Sequence, residues 1–541
     1  MRLTSRLLLG LACSVLCLTT FGCGNDSNDN WSPTRDGQNF YVNNFSQEDS
    51  AVVFLSNASN MENDYDDYFI TTNKQPSVYT ERDTNSNAKV DLDTDKIGPH
   101  DLTHILMRDV KDRLEKKAVN AKVDANYKIT PNTKYTDMAK GEEIEINVVT
   151  SLNKFTKKKV RKIVDNDETT SILVFAEVDD EGYASMSNSR AKEIDRAFGV
   201  NNPYSADGSS IYDTVRNTFG KELTPGLDGE KKIIIVALYN DTISGKNTGN
   251  KVYGYFYAVD EFSAKDEPYS NEGEILYMNA EEDDYNFYST MAHEFQHMCC
   301  FNQKYIRYGS YDGSMEDTCI NEGMSQLSED INGFGMYPNP NTSEINNYLI
   351  STSTSYLKSP EAYSFNDESF SNRQGDYGQS YLLARYVADR FGIDAITELC
   401  TSKKVSKLNF TDTLRIDFKE LFHDFGVTNC VDHYNNVENK YNYTSISLFD
   451  LPYTAQGLVG GQYHHAYAQY PYKGLSNNYR LMCWTNSYYR YVFDNDLDQL
   501  HVTISKSNNA SDSMNNILIL NRNAGIVGEN SILRQIVNSS N

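Results

Sequence analysis

The chain has 541 residues, 39% of them apolar and 12% aromatic, a composition that supports about two to four domains, each burying its own core. Its formal net charge of −25 repels nucleic acid and anionic lipid head groups, which argues against binding to a phosphate backbone. The one dense basic run, Lys157-Lys158-Lys159-Val160-Arg161-Lys162, reads as the solvated face of a short helix.

Residues 1–22 read as a signal peptide, in which Arg2 and Arg6 precede an apolar stretch, residues 7–21, too short to span a membrane. Thr19-Thr20-Phe21-Gly22-Cys23 resembles a relaxed bacterial lipobox, with Thr20 where leucine is usual. Cys23 is therefore expected to carry lipid and become the new N-terminus, with simple secretion as the other option. Residues 23–39, rich in Asn, Asp and Ser, then form a flexible tether on the extracytoplasmic side of the cell envelope. In that oxidising setting cysteines are candidate disulfides. Setting aside Cys13, Cys17 and Cys23 leaves Cys299, Cys300, Cys319, Cys400, Cys430 and Cys483, whose pairing the sequence leaves open.

Residues 40–145 read as an N-terminal accessory domain, with a strand at "AVVFL", 51–55, and a helix over 104–117; a removable pro-segment fits within 24–145. Residues 146–444 read as an α+β domain. Its short runs "SILVFA" (171–176), "IIIVAL" (233–238) and "EILYM" (274–278) are β-branched or aromatic and bounded by turn residues. Helical periods dominate after Glu322, most clearly at "YLLARYVA", 381–388. Residues 445–541 return to strand texture, as in "YYRYVF", 488–493, and read as a small C-terminal β domain.

Chemistry concentrates at "MAHEFQHMCCF", residues 291–301. Asp283 and Asp284 suit the positive start of a helix, and Tyr288, Met291, Ala292, Phe295 and Cys299 recur as one buried stripe. His293 and His297 lie on roughly the opposite side, one turn apart, and offer two imidazole nitrogens to one ion. Glu294 then stands beside the metal, where it accepts a proton from water. His100 and His104 are also four apart, but Asp101 replaces the glutamate and no ligand context follows, so that pair reads as structural.

A catalytic zinc site needs a third protein ligand. One large group of metalloproteases would require a glycine at position 300 and a histidine at position 303; Cys300 and Gln303 exclude that branch. "EDTCINEGMSQLSED", residues 316–330, supplies a glutamate instead. Ile320, Met324 and Leu327 mark its buried stripe and turn Glu322 towards the cleft, while Glu316 competes through its spacing from His297. Helix phase and the Asn-Glu-Gly setting favour Glu322.

These segments, "TMAHEFQHMCCFNQ" followed by "NEGMSQLSED", resemble the gluzincin metallopeptidases and, among them, the hyicolysin-like secreted family, over about residues 171–440. The resemblance implies a zincin-like fold with zinc on His293, His297 and Glu322, Glu294 as general base, and a protein or peptide substrate. "DYGQSYLLARYVADRFG", 376–392, resembles the segment that carries an oxyanion-stabilising tyrosine in related aminopeptidase-like enzymes, with Gln379-Ser380 where those have Lys-Gly. That implies Tyr377 in this role and Tyr381, one turn on, as the alternate. One of Cys299 and Cys300 is expected to bond to Cys319. The expected function is an exported, lipid-anchored zinc endopeptidase. The alternatives are a non-catalytic surface binding protein or adhesin on the same scaffold, and a zinc aminopeptidase.

Two acidic runs, Asp91-Leu92-Asp93-Thr94-Asp95 and Asp494-Asn495-Asp496-Leu497-Asp498, open like calcium loops but lack the glycine and glutamate such loops need, and read as solvated turns. "HHAYAQYPYKG", 464–474, reads as a contact surface for protein or glycan, or as a half-buried β face.

Overall fold

The three apolar runs of the central region become neighbouring strands of one sheet. The computed structural model describes residues 37–59, 65–77, 102–118, 134–151, 154–164, 171–227, 229, 231–245, 251–308, 313–371, 373–448, 476–506, 514–521 and 532–539. Its strands in chain order are β1 (Gln38–Phe45), β2 (Asp49–Asn57), β3 (Tyr65–Thr72), β4 (Glu143–Ser151), β5 (Lys154–Lys162), β6 (Ile172–Glu177) and β7 (Ile233–Leu238). Then come β8 (Gly254–Phe256), β9 (Ile275–Asn279), β10 (Ser476–Met482), β11 (Thr485–Tyr491), β12 (Leu497–Lys506), β13 (Asn516–Asn521) and β14 (Leu533–Val537).

The main sheet runs in the order β4-β5-β6-β7-β9-β8. β6, β7 and β9 are mutually parallel and buried at every position, the pattern of strands covered on both faces. β4 and β5 add antiparallel on one flank and β8 on the other, giving the mixed sheet of an α+β protein, the class expected from the sequence. The basic run is not a helix: it lies in β5, paired with β4. Lys157 and Lys159 face solvent, Lys158 reaches Glu177 at 2.7 Å, and Lys162 is buried with its ammonium donating to the carbonyls of Tyr135, Thr136 and Met138. A charge run has no period of its own; the neighbouring strand decides.

After β9 a short turn enters the histidine helix, Asp284–Lys304, whose N-cap Asp283 accepts from the Asn286 backbone N–H at 2.9 Å. The expected single buried stripe is replaced by burial of every residue from Phe287 to Lys304. β8 and β9 lie against the helix, and further helices, among them Thr318–Ile331 and Ile211–Phe219, close it in. The glutamate helix, Thr318–Ile331, is packed in turn against the tyrosine helix, Gln374–Phe391. Gly323 makes that approach possible: a Cβ there would stand 2.4 Å from the Ser380 carbonyl oxygen.

The chain ends do not form two domains. β1 and β3 alternate with C-terminal strands in a sheet of order β1-β12-β3-β10, and β2 sits inside a second, β11-β2-β13-β14, with all of these pairs antiparallel. Phe40, Val42 and Ile70 pack with Leu500, Val502 and Ile517 in a shared core. β2 serves two cores at once. Ala51, Val53 and Leu55 enter the sandwich, while Val52 and Phe54 join the main core, with Phe54 5.3 Å from the His423 ring on the helix Phe418–Val431. The strands of the expected blocks 40–145 and 445–541 that lie in β1–β3 and β10–β14 thus form one β sandwich, while the helix Thr103–Ala118 packs into the main core and the expected boundary at 145/146 falls inside β4, a strand of the main sheet. The described residues from Gln38 onward pack as one unit.

Cys299, Cys300, Cys319, Cys400 and Cys430 are free, buried thiols, so the expected bond from Cys299 or Cys300 to Cys319 is absent. Burial pushes the thiols of all three well above their ordinary range, as suits small apolar fillers rather than reactive thiolates. Asp494, Asn495 and Asp496 form an exposed turn before β12, and no described helix is long and apolar enough to cross a membrane. The signal segment with Cys23, the tether up to residue 36, His100, the Asp91-Leu92-Asp93-Thr94-Asp95 run and "HHAYAQYPYKG" lie outside the described residues.

Candidate metal centre

Two helices supply the convergent side chains. His293 and His297 come from successive turns of the histidine helix and Glu322 from the glutamate helix; one ligand atom from each lies within 4.8 Å of the others. Among the described residues this is the one group of three or more side chains placed to share an ion. Nε2 of His293 stands 3.4 Å from Glu322 Oε2, and Nε2 of His297 stands 3.6 Å from Glu322 Oε1. All three side chains are buried.

The separations test the fit to a metal directly. A tetrahedron with arms of about 2.1 Å has edges of about 3.4 Å, and two imidazoles with one carboxylate are the protein donors of a catalytic zinc site that keeps a fourth position open. The observed 3.4 and 3.6 Å, one to each oxygen of Glu322, are of that size, and one donor atom from each residue lies within 4.8 Å of the others. Glu316 is held elsewhere: its carboxylate accepts from the Ser406 and Asp317 N–H groups and lies 3.6 Å from the Lys304 ammonium.

Behind the three residues stands a second set that sequence reasoning missed. His293 Nδ1 lies 2.8 Å from Glu329 Oε1, so its N–H donates there and Nε2 turns its lone pair towards His297 and Glu322. Glu329 is itself fixed by the Ser289 hydroxyl at 2.7 Å and the Asn346 amide at 2.8 Å. The Ser325 hydroxyl lies 3.1 Å from His297 Nδ1. Glu329 follows Glu322 by two helical turns, so helix phase was a signal that would have found it.

Glu294 is 1% exposed, and its Oε2 accepts from the Thr103 hydroxyl at 2.7 Å. A cavity opens beside it, lined by His293, Glu294, Glu329, Tyr253, Gly254, Thr290, Asn346, Tyr348 and Tyr377, among others. Gly254 lies in the edge strand β8; a Cβ there would stand 2.7 Å from Thr290 Cγ2, so glycine lets this strand lie on the histidine helix. Tyr377 lines the cavity, whereas the Tyr381 hydroxyl donates to Asp330 Oδ2 at 2.9 Å and lies outside the lining.

An α+β body that gathers two histidines of one helix and a glutamate of the next around one point, with a second carboxylate beside them, has the architecture of a metal-dependent hydrolase centre. No family model matches the chain. It is similar to the "Neutral metalloprotease ShpI" of Staphylococcus hyicus, 26% identical over 283 residues that take in 51% of this chain and 56% of that relative. The match thus spans about half the length of each protein, and the likeness supports a metallopeptidase and nothing narrower.

Proposed function

We propose that the chain is a zinc-dependent endopeptidase of the gluzincin type, akin to the hyicolysin-like group, exported and held at the membrane by lipid on Cys23. One observation carries the catalytic part: two imidazole nitrogens lie 3.4 and 3.6 Å from the two oxygens of one buried carboxylate, with Glu294 and a cavity at their side. His293, His297 and Glu322 would hold the ion, which when bound supplies the Lewis acidity that makes water a nucleophile near neutral pH. Glu294 accepts the proton of the attacking water and returns it to the departing amine. Tyr377 donates its hydroxyl to the oxyanion of the tetrahedral intermediate. The strand β8, at the edge of the main sheet among the described residues and beside the cavity, is where an extended peptide substrate would run.

Hydrolysis of casein by the purified protein, abolished by a chelator and by Glu294→Gln, is the expected result. Casein left intact, with binding to host or matrix protein that survives both treatments, would point to the adhesin. Cleavage confined to aminoacyl substrates would point to an aminopeptidase. Export and anchoring rest on the apolar segment before Cys23 and on the lipobox-like Thr19-Thr20-Phe21-Gly22-Cys23. Cys23→Ala is expected to release the protein from membranes; retention would overturn the anchor.

A further inference from the structure

The helix Thr103–Ala118 reaches the centre from a part of the chain far from the histidine and glutamate helices in sequence. Its first residue, Thr103, is fully buried and its hydroxyl is used twice: Oγ1 accepts from the Phe256 backbone N–H in edge strand β8 at 2.9 Å and donates to Glu294 Oε2 at 2.7 Å. The rest of the helix is clamped to both sides of the site. Arg113 reaches Glu267 at 3.0 Å and the Tyr257 hydroxyl at 3.3 Å, just past β8. Lys111 lies 3.2 Å from Asp367 and 3.9 Å from Asp317, the N-cap of the glutamate helix, while Arg108 donates to the carbonyls of Asp367 and Phe370.

We infer that Thr103 is a positioning residue for the general base, an inference that rests on the role proposed for Glu294. A carboxylate on a flexible side chain can turn its oxygens through many directions. A donor fixed to one oxygen sets the plane of the group and therefore where the second oxygen stands. Because the same hydroxyl takes its own hydrogen bond from the edge strand, the base is held in register with the strand along which an extended substrate would run. Thr103 does this from 191 residues away in sequence, through a helix gripped at three basic side chains.

The test compares Thr103→Val, which keeps the shape and removes the hydroxyl, with Thr103→Ser, which keeps the hydroxyl, alongside the wild type and Glu294→Gln. Zinc content, Tm, kcat and KM on one peptide are read for each. Thr103→Val is expected to keep its zinc and its KM while kcat falls about 10- to 100-fold, the usual cost of losing a partner that orients a site residue. Thr103→Ser is expected to restore most of that loss. Undiminished kcat in Thr103→Val would overturn the inference, and so would a rise, which would make the contact a block on the base. Equal defects in the valine and serine variants would also overturn it. Should Thr103→Val lose zinc or melt early, Thr103→Ala against Thr103→Ser repeats the comparison, and equal kcat in those two overturns it. A wild type whose turnover is unaffected by Glu294→Gln would instead sink the role of Glu294 itself.

Discussion

Tyr377 and Tyr381 stand one turn apart on the same helix, yet their surroundings assign them different work. Tyr377 borders the cavity with His293 and Glu294; Tyr381 is committed to Asp330. Tyr377→Phe is therefore expected to lower kcat about 100- to 1,000-fold, as loss of an oxyanion donor does, whereas Tyr381→Phe leaves turnover near wild type. Steady-state kinetics on a single peptide checks both, and a larger loss at Tyr381 would exchange their roles. Glu329 makes a separate prediction: Glu329→Gln removes the charged acceptor of the His293 N–H and should weaken metal affinity about 10- to 100-fold. Competition against a chromogenic chelator measures it, and unchanged affinity would contradict the assignment. At this scale the sequence reveals side chains whose partners share a helix or a motif. His293, Glu294 and His297 stand out by spacing alone. Thr103 and Ser325 do not, because a threonine or serine becomes part of a site only through a neighbour supplied by another element.

The helices are readable to the extent that their environment is one-sided. The glutamate helix keeps a phase that turns Glu322 inward, and Gly323 beside it is explained by the Ser380 carbonyl pressed against its Cα. Gly323→Ala should cost about 1–3 kcal/mol through overpacking and draw Glu322 away from the histidines. Thermal unfolding with metal analysis of the same sample follows both effects, and a full-strength, fully loaded variant would contradict the packing. The histidine helix is less readable: from Phe287 onward it has no exposed face, and its apolar stripe is one part of a continuous buried surface. The basic run in β5 misleads for the opposite reason. Four lysines and an arginine suggest a solvated helix until β4 is paired beside them and Glu177 and the carbonyls of Tyr135, Thr136 and Met138 take up their charges.

At the scale of the molecule, the apolar strands of the main sheet announce themselves, but the partnership of the chain ends leaves no local trace. "AVVFL" reads correctly as a buried strand and says nothing of β11 and β13, which flank it from the far end of the sequence. Because β2 feeds alternate side chains into both cores, the sandwich and the main body should unfold together. Calorimetry is expected to give one transition, and an early, separate melting of the sandwich would contradict the shared strand. The central claim is that His293, His297 and Glu322 hold one metal ion with Glu294 beside it. The zinc-to-protein ratio of purified wild type, Glu294→Gln and Glu322→Ala tests it most directly. The expected outcome is one zinc per chain in the wild type and in Glu294→Gln, and its loss from Glu322→Ala; full zinc retained by Glu322→Ala, or a wild type that binds none, would contradict the account.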